Sequence, residues 1–307
     1  MERIVLDTDL AMGAPGSDID DGFALALALG DPGITLDLVT TVAGNTDVAT
    51  ATTLTLELLH RCGHPGVPVH RGAARALLRP HERPGTVPGD VPHREPAGTL
   101  AAAALVEHVR AHPGQVTLVA IGPLTNVALA VRLDPGFARS LRRLVVMGGE
   151  FLGGSHDVTM PGEFNLWSDP EAAQIVLASG ALVELVGLDV TRLVRTSRAE
   201  AEEMARSERP FTAFAGRCTA AWIDQLDPRH AVPAGTCALH DPLAVAAVTR
   251  PDLLTWREAR VEVETGDRLR GVVVTDFEAV PPNARVAVAV DAEGFRDHLR
   301  KGLAALG

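Results

Sequence analysis

The chain has 307 residues, 46% of them hydrophobic, and a slightly positive mean hydropathy of +0.13, enough apolar material for a large core. Its net charge of −11 and pI near 5.4 exclude nucleic acid and an anionic membrane as natural partners and favour a small neutral or cationic ligand. Cys62, Cys218 and Cys237 are scattered, without zinc spacing, and fit reduced thiols in a cytoplasm. The start, Met1 to Asp7, has no apolar signal-type stretch, and no run of about 18 apolar residues is present to span a bilayer.

In chain order, "RIVLDTD" predicts a first strand and "DDGFALALALG" a helix. "ITLDLVTTVAG" predicts a strand and "ATATTLTLELLHRCG" a helix despite its threonines. "QVTLVAIG" and "LRRLVVMGG" read as strands, each followed by a helix, "TNVALAVRLDP" and "DPEAAQIVLASG"; "LVELVGLDV" reads as a further strand. Near-continuous apolar strands spaced by helices define an α/β protein with an open, mostly parallel, Rossmann-like sheet covered on both faces. The reading is one domain over residues 1–307. The GxGxxG turn of dinucleotide-binding folds is missing, which removes support for a nicotinamide cofactor.

In such sheets ligands bind beyond the carboxyl ends of the strands. The strand exits here are "DTD" at 7–9, "TTVAGN" at 40–45, "AIGPLTN" at 120–126 and "MGGEF" at 147–151. Two long Pro/Gly-rich segments, 79–98 and 148–165, are candidates for binding loops or plain solvated excursions. The densest signal is the charge after the first strand: Asp7, Asp9, Asp18, Asp20 and Asp21. Helix capping accounts for one or two carboxylates at such a place. A D-x-D…D-D arrangement behind a buried strand calls for a hard cation with oxygen ligands. Asp7 and Asp9 share parity and so one face of an extended strand. "HDPLAVAAV" opens a helix with His240 and Asp241, Pro242 fitting its first turn, and Glu163 and Asn165, two apart, fall on one side if that segment is extended.

Together "LDTD…DIDDGFALALAL", "TTVAGN", "VTLVAIGPLTNVALAVR", "VVMGGEF", "GEFNLWSDPEAA" and "HDPLAVAAV" resemble, in order and over most of the chain, the inosine–uridine-type nucleoside hydrolases. The resemblance implies a parallel-sheet α/β fold, a bound Ca²⁺ and hydrolysis of a ribonucleoside to ribose and free base, as in nucleoside salvage. It implies that Asp9 binds calcium and acts as general base, that Asp21 and Asp241 are further carboxylate ligands, and that the carbonyl of Ile121 completes the protein set. It implies ribose contacts from Asp20, Asn45 and Asn165, a 5′-hydroxyl contact from Glu163, leaving-group protonation by His240, and a supporting place for Asp7. It also implies a homo-oligomer, a dimer or tetramer.

The chain departs from the family pattern in several places. Ten residues, "LAMGAPGSDI", separate Asp9 from Asp20, where the family's spacing is much shorter, and Asp18 within them has no assigned role. Asp157 stands where many members carry an asparagine on the 5′ side of the ribose. The His-Gly motif common near the active site is missing from 79–98, which does hold His81 and His93, and the chain has no tyrosine to stack on a base. Two other readings compete. The strand-exit D-x-D suits an Mg²⁺-dependent aspartate-nucleophile phosphohydrolase, but the chain's single lysine, Lys301, is badly placed for a phosphate-binding role. A non-catalytic ribose- or calcium-binding protein is the third.

Overall fold

The computed structural model describes residues 1–153, 160–226 and 233–306. Its strands are β1 (Glu2–Thr8), β2 (Ile34–Thr41), β3 (Val69–Arg71), β4 (Val116–Ala120), β5 (Arg143–Met147), β6 (Val183–Val186), β7 (Arg195–Ser197), β8 (Thr236–Ala238), β9 (Leu254–Val263), β10 (Val273–Asp276) and β11 (Ala284–Val290). Nine of them form one sheet in the order β10-β9-β11-β6-β5-β4-β1-β2-β3, and β7 and β8 form a separate antiparallel pair. From β11 to β3 all neighbours are parallel. The expectation of a mostly parallel sheet holds, with an antiparallel margin: β9 runs against both β11 and β10.

The alternating direction of strand side chains divides the core into two layers. Ile4, Leu6, Val119 and Val145 face the helices Asp20–Gly30, Val48–Arg61, His240–Thr249 and Ala292–Ala305, meeting Phe23, Leu27, Leu58, Leu243 and Phe295. Val5, Leu118 and Val146 face the other way, toward Leu105, Val127, Phe137 and Val176 on the helices Ala101–Ala111, Thr125–Leu133, Phe137–Ser140 and Pro170–Leu177. Each fully buried Leu or Phe contributes about 1.5–3 kcal/mol, so both faces of the sheet anchor it. The helix Asp20–Gly30 is buried almost throughout, which explains its uninterrupted Ala/Leu run.

Local chemistry sets the helix ends. Asp47 caps Val48–Arg61, its Oδ1 accepting from the amides of Ala49 (3.1 Å) and Thr50 (3.0 Å). The threonines of that helix survive by donating to carbonyls one turn back: Thr52 to Val48 (2.6 Å), Thr53 to Ala49 (2.9 Å) and Thr55 to Ala51 (2.7 Å). Asp169 caps Pro170–Leu177 through the Ala172 amide at 3.1 Å, with Pro170 at the first helical position.

Two local expectations are corrected. The segment after Glu163 is not extended: Phe164–Ser168 is a short helix with Glu163 as its cap, because the Glu163 carboxylate can gather the helix's unpaired first amides. The strand reading of "LVELVGLDV" ends at Val186, and Leu188–Thr191 forms one helical turn.

The chain builds outward from β1 through β2 to β3, then returns to the other side of β1 for β4, β5 and β6. The strand order therefore reverses between β1 and β4, where a crevice opens beyond the carboxyl ends. The register puts Asp7 opposite both Thr40 and Ala120, so the exits of β1, β2 and β4 reach that crevice together.

Candidate active site

Asp9 lies just past the end of β1, fully buried. Its Oδ2 accepts from the Asn45 amide at 2.6 Å, while its Oδ1 is buried without a hydrogen-bond partner. The glycines of the two neighbouring strand exits make room for it. A Cβ on Gly44 would collide with Asp9 Oδ2, and one on Gly122 would stand 2.9 Å from Oδ1. "TTVAGN" and "AIGPLTN" thus owe their glycines to close approach around one carboxylate.

Asp20 and Asp21 open the helix that follows, and Asp241 stands in the first turn of His240–Thr249. One carboxylate oxygen from each of these three buried residues lies within 4.8 Å of the other two. Asp20 Oδ2 accepts from the amides of His240 (3.1 Å) and Asp241 (3.3 Å), tying the two helix starts together. Asp21 accepts from the Thr8 hydroxyl and, at 3.1 Å, from Asn45 Nδ2.

Asp18 and His240 join the same group. Asp18 is partly buried, and charges on Asp20 and His240 act on it in opposite senses. His240 Nδ1 is 2.7 Å from Thr191 Oγ1. Asp7 is turned away from these oxygens, contrary to its parity with Asp9, because Asp9 has left the strand. It accepts from Thr40 and, at 2.7 Å, from Asn126 Nδ2, which also donates to the Thr41 carbonyl at 2.9 Å. It braces β1 against β2 and the helix Thr125–Leu133.

On the far wall, Glu163 accepts from the amides of Asn165 (2.8 Å), Leu166 (3.1 Å) and Gly149 (3.1 Å). Asn165 Nδ2 donates to the Ile121 carbonyl at 2.8 Å and to the Met147 carbonyl at 3.3 Å. The exits of β4 and β5 and the helix Phe164–Ser168 meet there. Asp9, Asp20, Asp21, Asn45, Ile121, Glu163, Asn165, His240 and Asp241 therefore lie around one crevice. Asp157 lies outside the described residues. The sequence reading missed Thr191 and Thr8, ordinary residues until the fold brings them to His240 and Asp21, and left Asp18 without a place.

The electrostatics are those of crowded carboxylates. Burial pushes Asp9 up to about 7, the Asn45 amide opposing, with Asp20 and Asp18 adding repulsion. Burial likewise raises Asp18 to about 7 and Asp20 to about 6, with the charge of Asp20 acting on Asp18 and that of Asp21 on Asp20. Asp21 and Asp241 are held well above the ordinary carboxylate range, first by burial and then by neighbouring aspartates. Burial also raises Glu163 against the pull of three amides. A cation among these oxygens would reverse the repulsion. The donor chemistry fits a hard one: three converging carboxylates, an orphaned Asp9 oxygen and the adjacent Ile121 carbonyl, with no sulfur or imidazole nitrogen among them.

The chain is 38% identical over 307 residues to the non-specific ribonucleoside hydrolase RihC of Salmonella typhi, covering 96% of this chain and 95% of the relative. It superposes on a plant nucleoside hydrolase, the PpNRh1 enzyme, with a TM-score of 0.88, 30% identity and 98% coverage of both chains. It also superposes on a purine-preferring ribonucleoside hydrolase from Gardnerella vaginalis with a TM-score of 0.86, 26% identity and 99% coverage of both. The fold is that of the nucleoside hydrolase class of enzymes. Within that class, the chain belongs to the inosine-uridine preferring nucleoside hydrolase family, whose model matches residues 4–297.

Proposed function

We propose that this enzyme hydrolyses the N-glycosidic bond of ribonucleosides with Ca²⁺ held by Asp9, Asp21, Asp241 and the Ile121 carbonyl. The observation that carries the reading is the convergence of buried aspartate oxygens at the β1/β4 crevice, without a protein cation paired to them among the described residues. Asp20 joins the converging oxygens, and the ribose contact is assigned to it as well.

Bound there, Ca²⁺ would orient the sugar hydroxyls and acidify the attacking water. Asp9 supplies the base: Oδ2 is fixed by the Asn45 amide, and Oδ1 takes the proton from water. Water adds to C1′ as the C1′–N bond breaks, and the bonding electrons leave with the base. Positive charge grows on the ribosyl ring, and the surrounding carboxylates stabilise it. Asn45 and Asn165 hold ribose hydroxyls, and Glu163 takes the 5′-hydroxyl; Asp157 is assigned to the same side by sequence resemblance alone. With Nδ1 set on Thr191, His240 delivers a proton to the departing base from Nε2.

The same reading makes residues 1–307 one domain and the enzyme a homo-oligomer in the cytoplasm, consistent with three unbridged cysteines. No helix among the described residues is long and apolar enough to cross a membrane. A nucleoside panel with p-nitrophenyl phosphate as a control tests the chemistry: free base and ribose are expected, and release of phosphate instead would return the phosphohydrolase reading. Elemental analysis of the purified protein should find calcium; full activity with zinc alone or without metal would overturn the assigned ligand set.

A further inference from the structure

The loop 79–98 brings one arginine to the mouth of this site. Arg83 Cζ lies 4.2 Å from the centre of the Phe164 ring, and Phe164 separates Glu163 from Asn165. Phe164 stacks on Trp167 with ring centres 6.4 Å apart, and His81 meets Trp167 edge-on at 4.9 Å. On the other side of Arg83, the Gly85 amide donates to Asp47 Oδ2 at 2.7 Å. A Cβ on Gly85 would collide with Thr46 Oγ1, so the loop is seated closely against the segment that carries Asn45. Arg83 is thus held between the anchored neighbours His81 and Gly85, over the Phe164 ring.

Neighbouring loop arginines have carboxylate partners: Arg75 pairs with Glu82, Arg79 with Asp267 and Arg94 with Glu57. Arg83, an exposed residue, has no carboxylate within ion-pair distance among the described residues. Its side-chain hydrogen bond is a long one, from Nε to His81 Nε2 at 3.4 Å. Partial desolvation works against its charge, while Asp9 and Asp18 sustain it. The terminal amino groups of the guanidinium are therefore donors presented beside the acidic centre.

We propose that Arg83 is a specificity-determining residue that reads the leaving base, donating a pair of hydrogen bonds to adjacent acceptors on its edge; this rests on the nucleoside hydrolase reading. A guanidinium only donates, and its planar fork matches two neighbouring acceptors. A 6-oxopurine offers O6 and N7 side by side, whereas adenine sets an amino donor next to N7. Arg83 thereby selects inosine and guanosine over adenosine. On a 6-oxopurine the same pair of donors also stabilises the charge that develops as the bonding electrons pass to the base. A 5′-phosphate would satisfy the same donors, but its charge would stand close to Asp9 and Asp18.

The test is kcat/KM of the calcium-loaded enzyme for inosine, adenosine and p-nitrophenyl riboside. Arg83→Met keeps an unbranched stem to pack on Phe164 and removes the donors. It should lose roughly 10- to 100-fold on inosine with little change on the other two. Arg83→Lys keeps charge without the fork and should recover only part of the inosine preference. Equal losses on all three substrates, an unchanged inosine-to-adenosine ratio, or a loss confined to inosine 5′-monophosphate would overturn the assignment. A wild-type enzyme inactive on every nucleoside would overturn the enzyme reading and this inference with it. A wild-type enzyme active on nucleosides but indifferent to Arg83→Met would overturn this inference alone.

Discussion

The two ends of the central strands treat negative charge in opposite ways. Near the amino ends, Glu184 of β6 is held by Arg143 at 3.0 Å and Arg285 at 2.8 Å. Asp37 of β2 is held by Arg3 at 3.0 Å and His108 at 2.8 Å. At the carboxyl ends, Asp9, Asp18, Asp20, Asp21 and Asp241 share the β1/β4 crevice, and among the described residues no arginine or lysine forms an ion pair with any of them. A protein that pairs its acids at one end and crowds them unpaired at the other has reserved the second end for a ligand. A groove of about 1530 Å³ lies beside Glu184, Arg143 and Arg285, yet these three charges already pair with one another.

The contrast can be broken most severely at Asp9. Asp9→Asn keeps the shape and removes the proton acceptor, so kcat should fall about 10²- to 10⁴-fold, and saturating Ca²⁺ should refill the site without restoring turnover. Recovery of the wild-type rate would leave Asp9 as a ligand only.

His240→Ala should cost a similar factor, roughly 10²- to 10⁴-fold, but only on nucleosides whose base must be protonated. p-Nitrophenyl riboside should be nearly indifferent, and equal losses on both substrates would make His240 structural.

The paired end predicts the reverse pattern. Glu184→Ala leaves Arg143 without its carboxylate and should cost on the order of 3 kcal/mol in stability by denaturant titration, while kcat/KM of the folded fraction stays at the wild-type value. A kinetic defect would erase the division between the two ends.

The contrast also shows in the pH dependence. Asp9, Asp18 and Asp20 hold protons up to about 7, 7 and 6 in the folded chain, above their unfolded values. Between the unfolded and folded values the folded state binds more protons, so metal-free stability should fall as pH rises from about 4 to about 7. Saturating Ca²⁺, which binds the ionised forms, should flatten or reverse the slope. Melting temperatures with and without chelator read this directly, and identical slopes would remove the cation from the cluster.

Much of this contrast was legible in the residues. The D-x-D…D-D head, the glycine-bearing strand exits and His240-Asp241 lie on strands and helices whose apolar patterns are plain, and the fold brings them to one crevice. The reading failed where the pattern was locally ambiguous. Glu163 and Asn165 look extended by spacing, but a carboxylate able to gather three amides turns that stretch into a helix start. Thr191 carries no signal of its own, because its meaning comes from a residue 49 positions away. β9 alternates buried and exposed residues, the mark of a half-solvated antiparallel strand, and so differs from the fully buried strands used to recognise the sheet.

The bonds from Asp20 to the amides of His240 and Asp241 span 220 and 221 positions. A growing chain therefore makes its acidic turn long before it makes the segment that completes the centre. Before then, Asp20 lacks its amide donors and Asp21 lacks its partner Asp241. Stalled or truncated products ending before residue 240 should be catalytically silent.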